Sequence, residues 1–256
     1  MDEPAATWNI EPGQYLNKSV LEALLVTLTP GPDTDSASSI YLRSGEIEPF
    51  MGAASRYDRE WASHLTQAKD AVLQSATGLI GLQTGNQGWI IIPPFPVLEH
   101  ILLPKWETAP LLQLLAAEYT VGVVLLRLGR FSVALYQGEK LISSKTDARY
   151  VKGQHKKGGS SQKRFARIRE GQIRLIYDKT CVAVRAQFEP VARQIDYVVL
   201  GGESLTLNGF LRVCPHMEQF QDRILGRRLN IRDPKRDTLE DVGHLLIQSR
   251  VYPITW

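Results

Sequence analysis

The chain has 256 residues, a net charge of +3, 43% hydrophobic and 22% charged residues, which suits one large or two small globular units with a real core. So small a net charge says little about partners, and no apolar run reaches the length of a membrane span. The opening, MDEPAATWNIEPG, is acidic and lacks the apolar core of a secretory signal.

Residues 1–16 read as an N-terminal arm. From Asn17 to Leu28, an Asn start and a stripe of Val20, Leu21, Leu24, Leu25 and Leu28 predict a helix. SIYLRSG predicts a short strand ended by Gly45. Residues 58–78 predict one amphipathic helix, with Trp61, Leu65, Ala68, Val72 and Leu73 near one face and Gly78 past its end. GWIIIPPFP predicts a buried strand stopped by two prolines. Together these define a smaller N-terminal α/β domain over 17–108.

The pattern then turns β-rich. Val121–Leu128, Phe131–Tyr136 and Lys140–Ser144, broken at glycines, predict consecutive antiparallel hairpins. Alternation in RFSVALY places Phe131, Val133 and Leu135 on one face. A Gly-rich basic loop over 150–162 follows. A long helix from about Ser161 to Phe188 comes next, with Phe165, Ile168, Ile176, Val184 and Phe188 as its core stripe. Gly171 interrupts that helix at a cost of roughly 1 kcal/mol relative to Ala. IDYVVLGG predicts a strand, SLTLNGFLRV a helix capped by Ser204, RRLNIRD a strand, and DTLEDVGHLLIQSR a last helix with Asp237 at its N-cap and Glu240 in capping-box position. Residues 109–256 thus form a second domain, a mixed β-sheet with packed helices, and the fold class is α/β.

Charge is concentrated locally. Between Lys145 and Arg174 ten Lys/Arg oppose two acids, Asp147 and Glu170, so this window is +8 and the rest of the chain −5. Such a run is either a polyanion-binding surface or a solvated helix face beside a surface loop. In RYVKGQHKKGGSSQKRFARIRE, Gly153, Gly158 and Gly159 permit backbone conformations closed to other residues. Arg149, Lys152, His155, Lys156, Lys157, Lys163, Arg164 and Arg167 are the candidate RNA-binding residues. Gln162, at or near the first helical turn, carries an amide that cannot act as a general base but can orient a nucleophile. A Gly-Gly pair before a helix exposes backbone N–H groups that favour an anion or developing oxyanion.

Other motifs point away from chemistry. LGGES, Leu200 to Ser204, lacks the spacing of a phosphate loop and reads as a tight strand-to-helix turn. Cys214 and His216 have no second ligand pair, so no metal is expected. Cys181 and Cys214 read as free buried thiols of a reducing cytosol. No triad-hydrolase or zinc-protease motif is present. Asp237, Glu240 and Asp241 are acids that a helix N-terminus favours in any case.

GGSSQKRFARIRE, Gly158 to Glu170, resembles the peptidyl-tRNA-facing middle domain of eukaryotic and archaeal class-1 release factors, in which a Gly-Gly-Gln loop precedes RFARLRE-like residues on a long helix. VVLLRLGRFSVALYQGEKL and IDYVVLGGE look like that domain's strands, and the resemblance covers about 119–256. Ser160 and Ser161, set between the glycine pair and Gln162, move the match toward the Vms-like release-factor family (VLRF), which acts on peptidyl-tRNA of stalled large subunits. The resemblance implies a release-factor middle-domain, ribonuclease-H-like fold. It implies catalytic roles for Gly158, Gly159, Ser160, Ser161 and Gln162, with the large ribosomal subunit (its rRNA) and peptidyl-tRNA as partners. No cofactor, membrane or DNA is implied, and the opening and the lack of a membrane-length apolar run make the cytoplasm the expected location. Activity would be that of a peptidyl-tRNA hydrolase or a tRNA 3′-end endonuclease. The alternative is a non-catalytic ribosome- or RNA-binding module of the same fold.

Overall fold

The computed structural model describes residues 9–31, 36–53, 59–66, 70–151 and 161–255. Two compact units emerge: residues 1–117 with 246–256, and residues 118–245. The boundary expected at 109 moves accordingly, and the last residues leave the second unit for the first.

The first unit is built on a seven-stranded antiparallel sheet. Its strands are β1 (Asn9–Ile10), β2 (Gln14–Leu16), β3 (Ala37–Leu42), β4 (Leu79–Thr84), β5 (Gln87–Ile92), β6 (Ile101–Leu103) and the C-terminal β12 (Ser249–Thr255). Their order is β1-β12-β5-β4-β3-β6, with β2 also on β12. The expected N-terminal arm therefore ends as two short strands on β12. Helices α1 (Lys18–Leu28) and α5 (Ala109–Ala116) give Leu21, Leu25, Leu111 and Leu115 to a core with Tyr41, Ile80, Leu82 and Val251. Helices α2 (Ile47–Ala53), α3 (Arg59–Thr66) and α4 (Asp70–Leu73) give Ile47, Phe50, Trp61, Leu65 and Val72 to a second core with Ile40, Leu42, Ile90 and Tyr252. Both faces of the sheet are covered, so its strands read as continuous apolar runs without alternation. The helix expected over 58–78 is described as α3 and α4, and residues 67–69 between them, Ala68 included, lie outside the described residues. The side chain of Asn17, before α1, does not cap its helix but accepts a hydrogen bond from Gln248 Nε2 at 2.8 Å.

The second unit carries a five-stranded mixed sheet, ordered β11-β10-β7-β8-β9. Strands β7 (Thr120–Arg127), β8 (Arg130–Gln137) and β9 (Lys140–Ala148) form an antiparallel meander. Strand β10 (Tyr197–Gly202) is parallel to both β7 and β11 (Ile224–Leu229). Gly129 and Gly138 turn the two hairpins with φ of 114° and 56°, conformations that a Cβ disfavours.

Helix α6 (Ser161–Phe188) covers one face of this sheet. Phe131, Val133 and Leu135 meet its Ile176, Val184 and Phe188, together with Leu207 and Phe210 of α7 (Ser204–Leu211). The Phe188 ring lies over Gly122, where a Cβ would come within 2.7 Å of the ring. Pro234 and Leu239 meet the alternate side chains of β8: Ser132 Oγ donates to the Pro234 carbonyl at 2.8 Å, and Tyr136 Oη to the Leu239 carbonyl at 2.7 Å. The last helix, α8 (Thr238–Leu246), is shorter than expected because Ser249 onward forms β12.

Two local expectations change. Glu203 occupies the N-cap of α7, one position before the expected Ser204, whose hydroxyl instead accepts a hydrogen bond from the Arg228 guanidinium. Cys181 of α6 and Cys214, after α7, are joined in a disulfide with a Cα–Cα distance of 5.4 Å, not free thiols. The fold brings together two cysteines 33 residues apart, a proximity invisible in their spacing. Closing that loop in the unfolded chain is worth about 3–4 kcal/mol. Reduction, or the C181S/C214S pair, is expected to lower the unfolding free energy by up to that amount, read by urea denaturation with and without reductant.

Candidate functional site

The candidate site is built around the amino-terminal half of α6. The basic loop joins the end of β9 to the start of α6, so the two elements run in opposite directions side by side. Two contacts fix their register. Ser143 Oγ donates to Gln187 Oε1 at 2.7 Å, and Lys179 Nζ lies 3.5 Å from Asp147 Oδ2. Eight helical residues span about 12 Å at 1.5 Å each, and four strand residues about 13 Å at 3.3 Å each. The matched lengths show helix and strand lying flush over this interval.

Beyond it the strand ends and the helix continues. Helix α6 gives its first side chain to the core at Ile173. From Arg164 to Ile168 every residue is exposed, including Phe165 at 37% and Ile168 at 41%. Both were expected in the core stripe. Their periodicity is genuine, but no sheet lies beneath them, because β9 has already ended at Ala148. A Cβ at Gly171 would meet nothing within 4 Å, so packing does not demand glycine there. Gln162 stands eleven positions before Ile173, about 16 Å further along the helix axis. Helix α6 is therefore a mast, anchored in its carboxyl half and free of the core in its amino half.

The expected site residues fall into three groups. Ser161, Gln162 and Lys163 form the first turn of α6. Arg164 and Arg167 follow on its exposed amino half, and Arg149 is exposed just after β9. Gly158, Gly159, Ser160, Lys152, His155, Lys156 and Lys157 lie outside the described residues. Arg149 is held by its backbone, its N–H donating to the Gly129 carbonyl at 2.7 Å.

Electrostatics reinforce the anchor below the mast. Burial alone would raise the Asp147 carboxyl, but the Ala148 N–H and the Arg149 and Lys179 cations hold it below its usual range. Beside this pair lies a cavity of about 400 Å³ with an apolar floor that includes Phe131, Val182, Ala183 and Ala186. Sequence reading missed both anchors, Ser143–Gln187 and Asp147–Lys179. Each joins residues more than thirty positions apart and has no local motif. Cys214 is bonded to Cys181, and no group of three or more His, Cys, Asp or Glu able to hold a metal occurs among the described residues. No helix of the described residues is long and apolar enough to cross a membrane.

A long helix rising from a mixed sheet, with RFARIRE on its exposed half and a Gly/Ser-rich basic segment before it, defines a release-factor type of protein. Residues 119–252 match the family model of the Actinobacteria/chloroflexi VLRF1 release factor, and the chain belongs to that family. It is 28% identical over 139 residues to peptide chain release factor subunit 1 of Archaeoglobus fulgidus, covering 54% of this chain and 34% of the relative. It is 31% identical over 124 residues to the Methanopyrus kandleri protein of the same name, covering 48% and 30%. The chain thus spans about a third of the length of the curated relatives it matches. Among solved structures, it is similar to an archaeal translation termination factor, aRF1 (TM-score 0.37, 14% identity, covering 90% of this chain and 72% of that one). It is also similar to the Vms1 mitochondrial localization core (TM-score 0.42, 11% identity, covering 82% and 89%).

The mast makes a separable prediction. Proline in a helix interior costs about 3 kcal/mol, and Ala166 lies where α6 gives nothing to the core. Ala166→Pro is expected to abolish hydrogen-exchange protection before residue 170 while leaving the global unfolding midpoint within experimental scatter. A fall in the midpoint like that of a core substitution would show that the amino half of α6 is packed.

Proposed function

We propose that this protein cleaves peptidyl-tRNA on stalled large ribosomal subunits, freeing the nascent chain, with Gln162 positioning the nucleophile. The observation that carries this reading is the exposed amino half of α6, with Gln162 on its first turn. A catalytic amide that must enter a cavity in a larger body has to stand clear of its own domain. The family membership supports a role in translation, and the archaeal relatives are peptide chain release factors. The cations fit the same partner: Lys and Arg contacts to phosphate give affinity that is independent of sequence and sensitive to salt.

Two chemistries fit an oriented amide. In hydrolysis, the amide holds a water whose oxygen attacks the ester carbonyl. The bond to the ribose oxygen breaks, leaving a free peptide carboxylate and an intact tRNA 3′ end. In transfer-RNA cleavage, a ribose 2′-OH near the 3′ end attacks the adjacent phosphate. The leaving 5′-oxygen takes a proton, and the tRNA is shortened to a 2′,3′-cyclic phosphate while the peptide departs on the 3′ fragment. Backbone N–H groups at the start of α6 face the charge that develops in either case.

A second reading, a non-catalytic RNA-binding module, draws on Ser160 and Ser161 and on the placement of Gln162 within the helix. Labelled peptidyl-tRNA on isolated large subunits separates these readings. Wild type is expected to release peptide, and Gln162→Ala to lose release by at least 100-fold while binding subunits normally. Equal release by both would remove Gln162 from the mechanism, and none by wild type would favour the module. The RNA 3′ end then distinguishes hydrolysis from cleavage. Replacing Lys156 and Lys157 by Ala should weaken subunit binding and reduce the slope of log affinity against log salt by about one to two, on the order of one per lost phosphate contact.

A further inference from the structure

A second basic surface sits at the end of the sheet from which the mast rises, and it comes from residues 127–130 and 228–236, outside the loop and helix. Its members are brought together by the topology. Arg127 and Arg130 are register partners across the β7–β8 turn. Arg130 is also paired with Ala148, the last residue of β9 before the basic loop. Arg127 Nε donates to the Ile231 carbonyl at 3.0 Å, and its Nη1 meets Glu203 Oε1 at 3.0 Å. Arg130 Nη1 meets Asp233 Oδ1 at 3.2 Å, and Lys235 Nζ meets the other oxygen of Asp233 at 3.0 Å. Arg228, paired in register with Leu200, reaches Ser204 at the start of α7. The chain just after β11 is thereby fastened over the carboxyl ends of β7 and β10, beside the root of the basic loop.

The acids here do not balance the cations. Asp233 is shared between Arg130 and Lys235, and Glu203 answers Arg127. Asp237 stands at the amino end of α8, where a helix favours an acid. Arg228, Arg232 and Arg236 are exposed, and among the described residues none of the three forms an ion pair with an acid. An ion-pair network serving only to hold the segment would need no such excess. The fixed members, Arg127 and Arg130, pin the segment, and the unpaired ones face solvent on the same end of the sheet. Exposed arginines on a segment pinned in this way can meet phosphate without first ordering the backbone that carries them.

We propose that Arg228, Arg232, Lys235 and Arg236 form a platform for the phosphate backbone of RNA, at the foot of the α6 mast. The platform contacts backbone while the amino end of α6 reaches the reacting end. This rests on the peptidyl-tRNA reading for its partner, but not for its chemistry, which is phosphate recognition. The RNA could be tRNA or the rRNA of the large subunit.

Arg232→Glu/Arg236→Glu is the test, with Arg232→Gln/Arg236→Gln beside it. Both pairs replace residues without an acid partner, so circular dichroism and thermal midpoints are expected to match wild type. Binding is measured separately to deacylated tRNA and to isolated large subunits across a salt series. Expected are a loss of at least tenfold near physiological salt for the Glu pair, a smaller loss for the Gln pair, and a salt slope shallower by about one to two. Loss toward tRNA alone identifies tRNA as the source of the phosphates, and loss toward subunits alone identifies rRNA. Unchanged affinity for both, or weaker affinity with an unchanged slope, overturns the platform. Peptide release at saturating protein separates the two proposals. A platform variant that binds weakly but releases at the wild-type limiting rate supports both. If wild type binds with the expected salt slope and releases nothing, only the cleavage reading fails.

Discussion

The second unit depends on how the carboxyl half of α6 is fixed to its sheet. Phe188 lies over Gly122, where any side chain would collide with its ring. Cys181 is bonded to Cys214. Gln187 and Lys179 reach Ser143 and Asp147 on β9. A helix held at several levels along one half can leave its other half unsupported, because backbone hydrogen bonds propagate the helix once its nucleus is made. The price of this arrangement is an exposed apolar stripe, Phe165 and Ile168, on a segment without a core beneath it.

Such a stripe is also what separates this helix from an ordinary amphipathic one. Apolar residues spaced for burial yet left exposed are suited to meeting a surface elsewhere. Around them Arg164 and Arg167 supply charge. In the proposed reading, the anchored half of α6 acts as a lever that carries Gln162 at its tip. Positional precision at the tip depends on the register contacts well below it, as catalytic groups depend on the elements that hold them.

The strands of both sheets were legible wherever glycines and prolines punctuated them. The β7–β8–β9 meander and the stop after β5 follow from Gly129, Gly138 and Pro93-Pro94. Strand β4 was not distinguished, because LIGLQT is buried on both faces and lacks alternation. Strand β12 was hidden at the end of an apparent helix, with Pro253 in its interior. Its partners, β1, β2 and β5, all end by Ile92, far from it in sequence, so no local pattern could announce it. The expected capping by Ser204 missed by one position, as element ends often do when the backbone geometry is unknown.

By itself, the sequence determined the kind of protein: the Gly/Ser-rich basic segment, Gln162, and RFARIRE at the start of a long helix are local, and local order carries a motif intact. It determined the meander and its buried face for the same reason, since turn chemistry and period-two alternation act over a few residues. Only the tertiary structure decided where α6 leaves the core. Periodicity reports which side chains share a face, but burial depends on whether another element extends beneath that face, and β9 ends too soon. Only the tertiary structure paired Cys181 with Cys214 and gathered Arg127, Arg130 and Arg228 to one sheet end. Those contacts join residues separated by a strand, a helix and a turn, and their proximity is a property of the packed chain.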